Sequence, residues 1–357
     1  MPLLPMARVR LDVGPADVGR RLTVRYREDG LGRGAEQEMV GVLVRWSGGL
    51  RDGILRLRRR DGIEHGIRVD DLVAARVVPP EMSAYAVQRM CQQGWPPLEE
   101  ESRGNWTLRA SRGATGRANS VRVAGAPRGS LSAALDAVRE WYADRGLLPR
   151  LQIPRPCGLE HTLSEAGWTQ RRASRVLVAS TPRLLTSTGE ARERTDLEIS
   201  VESAPNPQFL SLVPGYDDKT APEFEHAFAA VQPAAYVYCR DSQGELLGIG
   251  HAVLQDIWCG VTTIQTLPQS RRSGIATAVT ARLAQWAHEQ RAESWYLQLF
   301  EDNAAALGFY ENLGFVTHHR YEYRWPTAVP RRACGRRLTM PPIPPCHPGS
   351  ERYSERQ

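Results

Sequence analysis

The sequence predicts a mixed α+β protein. A small all-β module occupies residues 1–80, and two α/β halves of similar plan, 81–183 and 184–326, follow, the first of them degenerate. Three observations carry this reading. Short apolar runs punctuated by Gly and Asp recur before residue 80. One helix–strand–helix–Gly-aromatic–strand pattern occurs twice. Residues 327–357 are rich in Pro and Arg and lack apolar periodicity. At 357 residues the chain exceeds one ordinary domain.

In the first module the runs 21–26, 38–46, 53–59, 64–69 and 72–78 have strand length and are rich in Val, Ile and Leu. Turn residues such as Ser47-Gly48-Gly49 and Arg60-Asp61-Gly62 separate them, a spacing that predicts a compact barrel. Pro79-Pro80 closes it, and 81–94 reads as a short helix. The repeated pattern comes next. Helix 130–146, strand 148–154, helix 159–168 and strand 173–180 are matched by helix 275–290, strand 295–300, helix 303–315 and strand 319–325. Trp141 precedes Gly167 by 26 residues and Trp286 precedes Gly314 by 28, which reads as an internal duplication. Residues 184–195 are polar and read as a linker. The tail 327–357 is expected to be disordered.

The formal charge of +6 is peripheral. Residues 1–80 carry 15 Arg against 11 acidic residues, 326–357 carry 6 Arg against 2 Glu, and the remainder is net −2. Lys219 is the only lysine. Solvated faces explain such a distribution, and nucleic acid is not an expected partner. No run approaches the roughly 18 apolar residues that span a bilayer, and the first residues lack a leader's apolar stretch. The expectation is a soluble, cytoplasmic protein without a membrane partner. Six cysteines, at 91, 157, 239, 259, 334 and 346, form no CxxC pair, so no metal site is expected.

The chemistry concentrates after residue 260. Residues 261–267 are β-branched and apolar and stop at Pro268, so they read as a strand. Gln269, Ser270, Arg271, Arg272, Ser273, Gly274, Ile275 and Ala276 then lead into a helix with apolar residues at 275, 279, 283 and 286. A strand, a Gly-containing loop and a helix N-terminus make an anion site. The first helical amides lack internal partners, and the helix dipole favours negative charge. Downstream lie Asn303, Ala306, Tyr310, Gly314 and Phe315 at spacings N-x-x-A-x-x-x-Y-x-x-x-G-F.

With Pro268, Arg271, Gly274 and Ala276 spaced P-x-x-R-x-x-G-x-A before that motif, the sequence resembles the GCN5-related N-acetyltransferase (GNAT) family over residues 195–325. The resemblance implies acetyl-CoA as co-substrate and no metal. It implies that the backbone at Thr266 and Leu267 holds the acetyl carbonyl and the pantetheine arm. Amides of Arg272, Ser273, Gly274, Ile275, Ala276 and Thr277, beside Arg271, would cradle the pyrophosphate. Asn303 would bond the pantetheine, and Tyr310 would protonate the departing thiolate. No carboxylate precedes Thr266 at Trp258-Cys259-Gly260, which leaves Asp256, Glu301, His251 or a water chain as base.

The first half departs from this motif. Aligning Trp141 with Trp286 sets Pro127 and Leu131 in the cofactor loop, and aligning Gly167 with Gly314 sets Leu163 at the Tyr310 position. This half is expected to shape the substrate pocket without holding cofactor. The first module resembles an SH3-like barrel. With residues 105–121, the whole layout resembles the actinobacterial, corynebacterial-type N-acetylglutamate synthases. That implies a small-molecule amine acceptor, L-glutamate, and a role in arginine biosynthesis, with Arg172, Arg320 and Arg324 as candidate carboxylate ligands. Acetylation of a protein N-terminus or lysine is the alternative. A non-catalytic adaptor binding protein or nucleic acid through the basic barrel is a second.

Overall fold

The computed structural model describes residues 13–27, 36–50, 52–59, 61–78, 82–189 and 194–327. The expectation for 327–357 falls outside them, Thr327 excepted. The chain divides into two compact units, Met1–Met82 and Ser83–Gln357.

In the first unit, β1 (Arg21–Arg27), β2 (Glu36–Ser47), β3 (Ile54–Arg58), β4 (Glu64–Arg68) and β5 (Leu72–Val77) form an antiparallel sheet in the order β4-β3-β2-β1-β5. The alternation in β3 shows why. Leu55 and Leu57 are buried, whereas Ile54, Arg56 and Arg58 face solvent, as period-two geometry requires. Leu22, Val24, Leu43 and Ile67 complete the core. Arg56 and Arg58 pair with Glu64 across the hairpin, a solvated face of the kind the charge pattern suggested. Among the described residues β4 and β5 do not pair, so backbone hydrogen bonds do not close the sheet.

The second unit begins with α1 (Ala84–Gln93), capped by the Ser83 hydroxyl. β6 (Glu99–Arg103), β7 (Trp106–Ala110), β8 (Val121–Val123), α2 (Leu131–Ala143), β9 (Leu151–Arg155), α3 (Glu160–Glu165), β10 (Trp168–Ser180) and α4 (Thr181–Ser187) follow. The pattern then recurs with additions: β11 (Leu197–Glu202), α5 (Pro207–Ser211), α6 (Ala221–Ala229), β12 (Ala234–Asp241), β13 (Leu246–Gln255), β14 (Trp258–Thr266), α7 (Ile275–Glu289), β15 (Ser294–Phe300), α8 (Ala304–Asn312) and β16 (Val316–Pro326). Residues 184–187, expected in the linker, instead finish α4. Leu184 is fully buried there, because the helix packs on α7.

All eleven strands make one sheet, in the order β11-β12-β13-β14-β15-β10-β16-β9-β8-β7-β6. Its pairings are symmetric about β10 and β16. β8 and β9 are a parallel pair joined through α2, and β14 and β15 are a parallel pair joined through α7. β10, the last strand of the first half, lies against β15 of the second. β16, the last strand of the second half, lies against β9 of the first. The repeat read from sequence is therefore present as a reciprocal exchange of final strands. The halves share a sheet and do not stand as separate bodies. One face of the second half carries α4, α7 and α8 over Leu177, Cys259, Trp295 and Leu297. The other carries α5 and α6 over Tyr236, Tyr238, Ile249 and Val253.

Candidate active site

β14 and β15 run parallel for four rungs, Trp258↔Ser294 to Val261↔Leu297, and then part. Both strands continue, β14 to Thr266 and β15 to Phe300. Residues 258–261 and 294–297 are buried, and 262–266 and 298–300 are partly exposed, so a wedge opens where the rungs stop. A bulge starts it. His251 opposes Thr263 and Ala252 opposes Val261, leaving Thr262 without a counterpart on β13. The His251 Nδ1 and Thr262 Oγ1 atoms share a 2.6 Å hydrogen bond.

Beyond the bulge the ladder dictates which backbone groups face the wedge. The Leu267 amide donates to the Leu247 carbonyl at 2.9 Å. Antiparallel pairs alternate, so the amides of Gln265 and Thr263 also face β13, whereas those of Ile264 and Thr266 face the wedge. The Thr266 amide thus faces the wedge, whereas the Leu267 amide is committed to β13 and the Leu267 carbonyl accepts from the Ser270 amide.

After β14, Pro268–Ser270 form a 3-10 turn, Arg272 adopts φ +62° and Gly274 adopts φ +83°. Only glycine takes the second conformation without strain. Gly274 is also the N-cap of α7 and brings no capping side chain. Among the described residues, none of the six amides of Arg272, Ser273, Gly274, Ile275, Ala276 and Thr277 has an acceptor. Six consecutive open donors at a helix N-terminus make a strong anion cradle. α7 holds it against the sheet. A Cβ on Gly248 would lie 2.7 Å from Ile275 Cγ2, so the helix is seated on glycine backbone. Arg271 and Arg272 are exposed beside the loop. Arg194, which the sequence did not single out, donates from Nη1 to the Ser273 carbonyl at 3.0 Å while pairing with Asp196.

Asn303 is the N-cap of α8, and its Oδ1 accepts from the Ala306 amide at 3.1 Å. Its Nδ2 remains as a donor. Tyr310 lies on α8, its ring edge-on to Phe309 (5.0 Å) and Phe315 (5.3 Å) and packed on the core. Among the described residues no group hydrogen-bonds its hydroxyl. Burial raises the phenol above its ordinary range, which keeps it protonated at neutral pH.

The candidate bases are less favourably placed. Asp256 lies in the β13–β14 hairpin, at the end of β14 remote from the wedge. Glu301 is neutralised by Arg175 (3.3 Å) and Arg320 (3.2 Å). His251 is fully buried, which lowers its imidazole to about 3 and makes it a poor proton acceptor. The candidate carboxylate ligands are also occupied: Arg172 pairs with Asp302, Arg320 with Glu301 and Arg324 with the buried Glu322. Among the described residues no cluster of His, Cys, Asp or Glu could hold a metal ion, and no helix is long and apolar enough to cross a membrane.

A parallel strand pair splayed at a bulge, a helix N-terminus with open amides, and a phenol on the following helix define a GNAT-type N-acetyltransferase. The family model described as "probable histone acetyltransferase Rv0428c C-terminal" matches residues 85–324, and the chain belongs to that family. It is similar to an uncharacterized N-acetyltransferase of Bacillus subtilis (strain 168), YobR. The two are 26% identical over 242 residues, 67% of this chain and 96% of that protein. Among solved structures it is similar in fold to a GCN5-related N-acetyltransferase from Kribbella flavida. There the TM-score is 0.54 and the identity 17%, with 69% of this chain and 96% of that chain covered. It also matches a tandem GNAT protein from the clavulanic acid biosynthesis pathway, with a TM-score of 0.48 and 14% identity over 70% of this chain and 88% of that chain.

Proposed function

We propose that the wedge between β14 and β15 takes acetyl-CoA and transfers its acetyl group to a small amine, with L-glutamate the first candidate. The observation that carries this reading is the row of six open amides at the wedge's end. A pyrophosphate there satisfies donors that nothing else in the described chain satisfies. The pantetheine arm, an extended chain of amides, completes the ladder along the free edge of β14 and receives a bond from Asn303 Nδ2. The thioester then lies near the bulge. The amine nitrogen attacks the carbonyl carbon, the C–N bond forms and the C–S bond breaks. The Ile264 and Thr266 amides face the developing oxyanion. Tyr310 gives its proton to the CoA thiolate, and the proton shed by the amine leaves through water and restores the phenol.

Thiol release from acetyl-CoA with L-glutamate tests this proposal. Release that rises with glutamate and is absent without an amine is the expected result. No release with glutamate while another amine works removes glutamate. A second reading, acetylation of a protein lysine, is favoured by the description of the matching family. Acetylation of lysine peptides without acetylation of free amino acids would establish it.

A further inference from the structure

The sheet has a second face at the wedge, and its polar groups are not used by the cofactor. His251 Nε2 and Gln298 Oε1 are buried, and neither has a hydrogen-bond partner in the described chain. They flank the wedge on opposite sides. His251 opposes Thr263 on β14, and Gln298 is the first residue of β15 past the last rung. Both point to the side that α1 covers. Gln298 is two residues from Tyr296, whose hydroxyl reaches the Met90 carbonyl on α1 at 3.5 Å. The His251 ring meets Phe228 at 4.8 Å, and Phe228 meets Trp95, just past α1, at 5.3 Å. Cross-strand pairing extends this face through Phe300, Ser174 and Tyr321.

A loop of the first half that carries an arginine packs against it. The loop between β7 and β8 is fixed by Asn119. Its Oδ1 accepts from the Ser111 and Gly113 amides, and its Nδ2 donates to the Ser111 and Thr115 carbonyls. Ala118 packs with Trp95 and Phe224, and a Cβ on Gly116 would lie 3.8 Å from the Tyr323 hydroxyl. Arg117 sits between these anchors, half-buried, with its carbonyl taken by the Ser120 hydroxyl. Among the described residues its guanidinium has neither a carboxylate nor a hydrogen-bond partner, unlike Arg172, Arg320 and Arg324. Tyr296 and Tyr321 of this face both lie within range of its positive charge.

We propose that the amine acceptor enters the wedge from the α1 side and carries an anionic group beside its amine. Arg117 holds that group, and Gln298 Oε1 accepts an N–H of the amine. A half that binds no cofactor thereby selects the substrate of the other half. The inference rests on the transferase reading above and adds the acceptor's chemical class: a carboxylate-bearing amine, of which an amino acid is the simplest. An unpaired guanidinium in a partly desolvated site favours such a group strongly.

The test compares free L-amino acids, L-glutamate included, with their α-amides as acceptors for the wild type, Arg117→Gln and Arg117→Lys. The wild type is expected to prefer the acids at least tenfold in kcat/KM. Arg117→Gln should abolish that preference without changing KM for acetyl-CoA, and Arg117→Lys should restore part of it. Equal use of acids and amides by the wild type, or an unchanged preference in Arg117→Gln, overturns the assignment and leaves the transferase reading intact. Turnover confined to lysine peptides does the same. Bound acetyl-CoA with no turnover on any amine overturns both.

Discussion

The two halves of the shared sheet start from one plan and end with different geometries, and strand length separates them more than loop chemistry does. In the second half, β14 runs five residues past the last rung, and both wedge strands become partly exposed. In the first, β8 ends one residue after its last rung with β9, and β9 stays buried through Pro154. No wedge forms. The loops differ less. Gly129 and Gly274 both adopt left-handed φ, +80° and +83°. Pro127 removes one donor, and the Ser130 hydroxyl takes the Ala133 amide, but neighbouring amides stay open. An anion cradle without a wedge has nothing to hold the rest of a long cofactor. Leu163, at the Tyr310 position, is fully buried in an apolar cluster.

The largest effect should come from the one group that the first half lacks. Tyr310→Phe is expected to lower kcat by about 10²-fold or more, as loss of a general acid does, with KM for acetyl-CoA little changed. Unchanged kcat would remove the phenol from the mechanism. The reciprocal Leu163→Tyr should give no new activity and lower the melting temperature, because it buries an unpaired hydroxyl at about 1–3 kcal/mol.

Next comes the cradle. Ala276→Leu copies the residue that the first half carries at Leu131, and it should weaken acetyl-CoA binding by roughly tenfold, the effect of about 1.4 kcal/mol. Calorimetry with acetyl-CoA measures it. Leu131→Ala should leave that affinity untouched.

Two buried groups predict opposite pH responses within the second half. His251 is held neutral, its pKa lowered by desolvation to about 3. Its contribution is complete above about pH 6.5 and is lost as pH falls from there toward 3, because the unfolded chain takes up the proton. Glu223 is raised to about 7 by desolvation while it accepts the Ala114 amide at 2.9 Å. Its contribution is complete below its unfolded value and is lost as pH rises through 7. Melting temperatures across pH should show a shallower acid slope in His251→Asn, where the buried His319 keeps part of it, and a shallower slope toward neutral pH in Glu223→Gln. Parallel profiles for the wild type and both variants would refute the assignments. The smallest effect is Ser130→Ala, which removes the α2 cap for about 1 kcal/mol and leaves turnover unchanged.

Much of this was legible in order along the chain. Strand 261–267, helix 275–290 and the Asn303–Tyr310 helix lie within a few residues of their expected bounds, because apolar period, proline stops and cap residues are local signals. Leu267 shows where local reading stops. Its sequence position ends the wedge strand, but the ladder's alternation turns its amide away. Arg172, Arg320 and Arg324 show the same limit, since their carboxylate partners come from other strands and turns.

The sequence by itself determined the mixed α+β class, the duplication and the location of the cofactor motif. Each depends on residue type and spacing along the chain, the signals by which single strands and helices are specified. Only the tertiary structure decided that the halves exchange their last strands, that Thr262 bulges where the rungs stop, and that the Arg117 guanidinium is left without a carboxylate among the described residues. The exchange depends on pairing between segments more than a hundred residues apart, the bulge on the register of a hairpin, and the free guanidinium on which charges find partners. No local pattern encodes them.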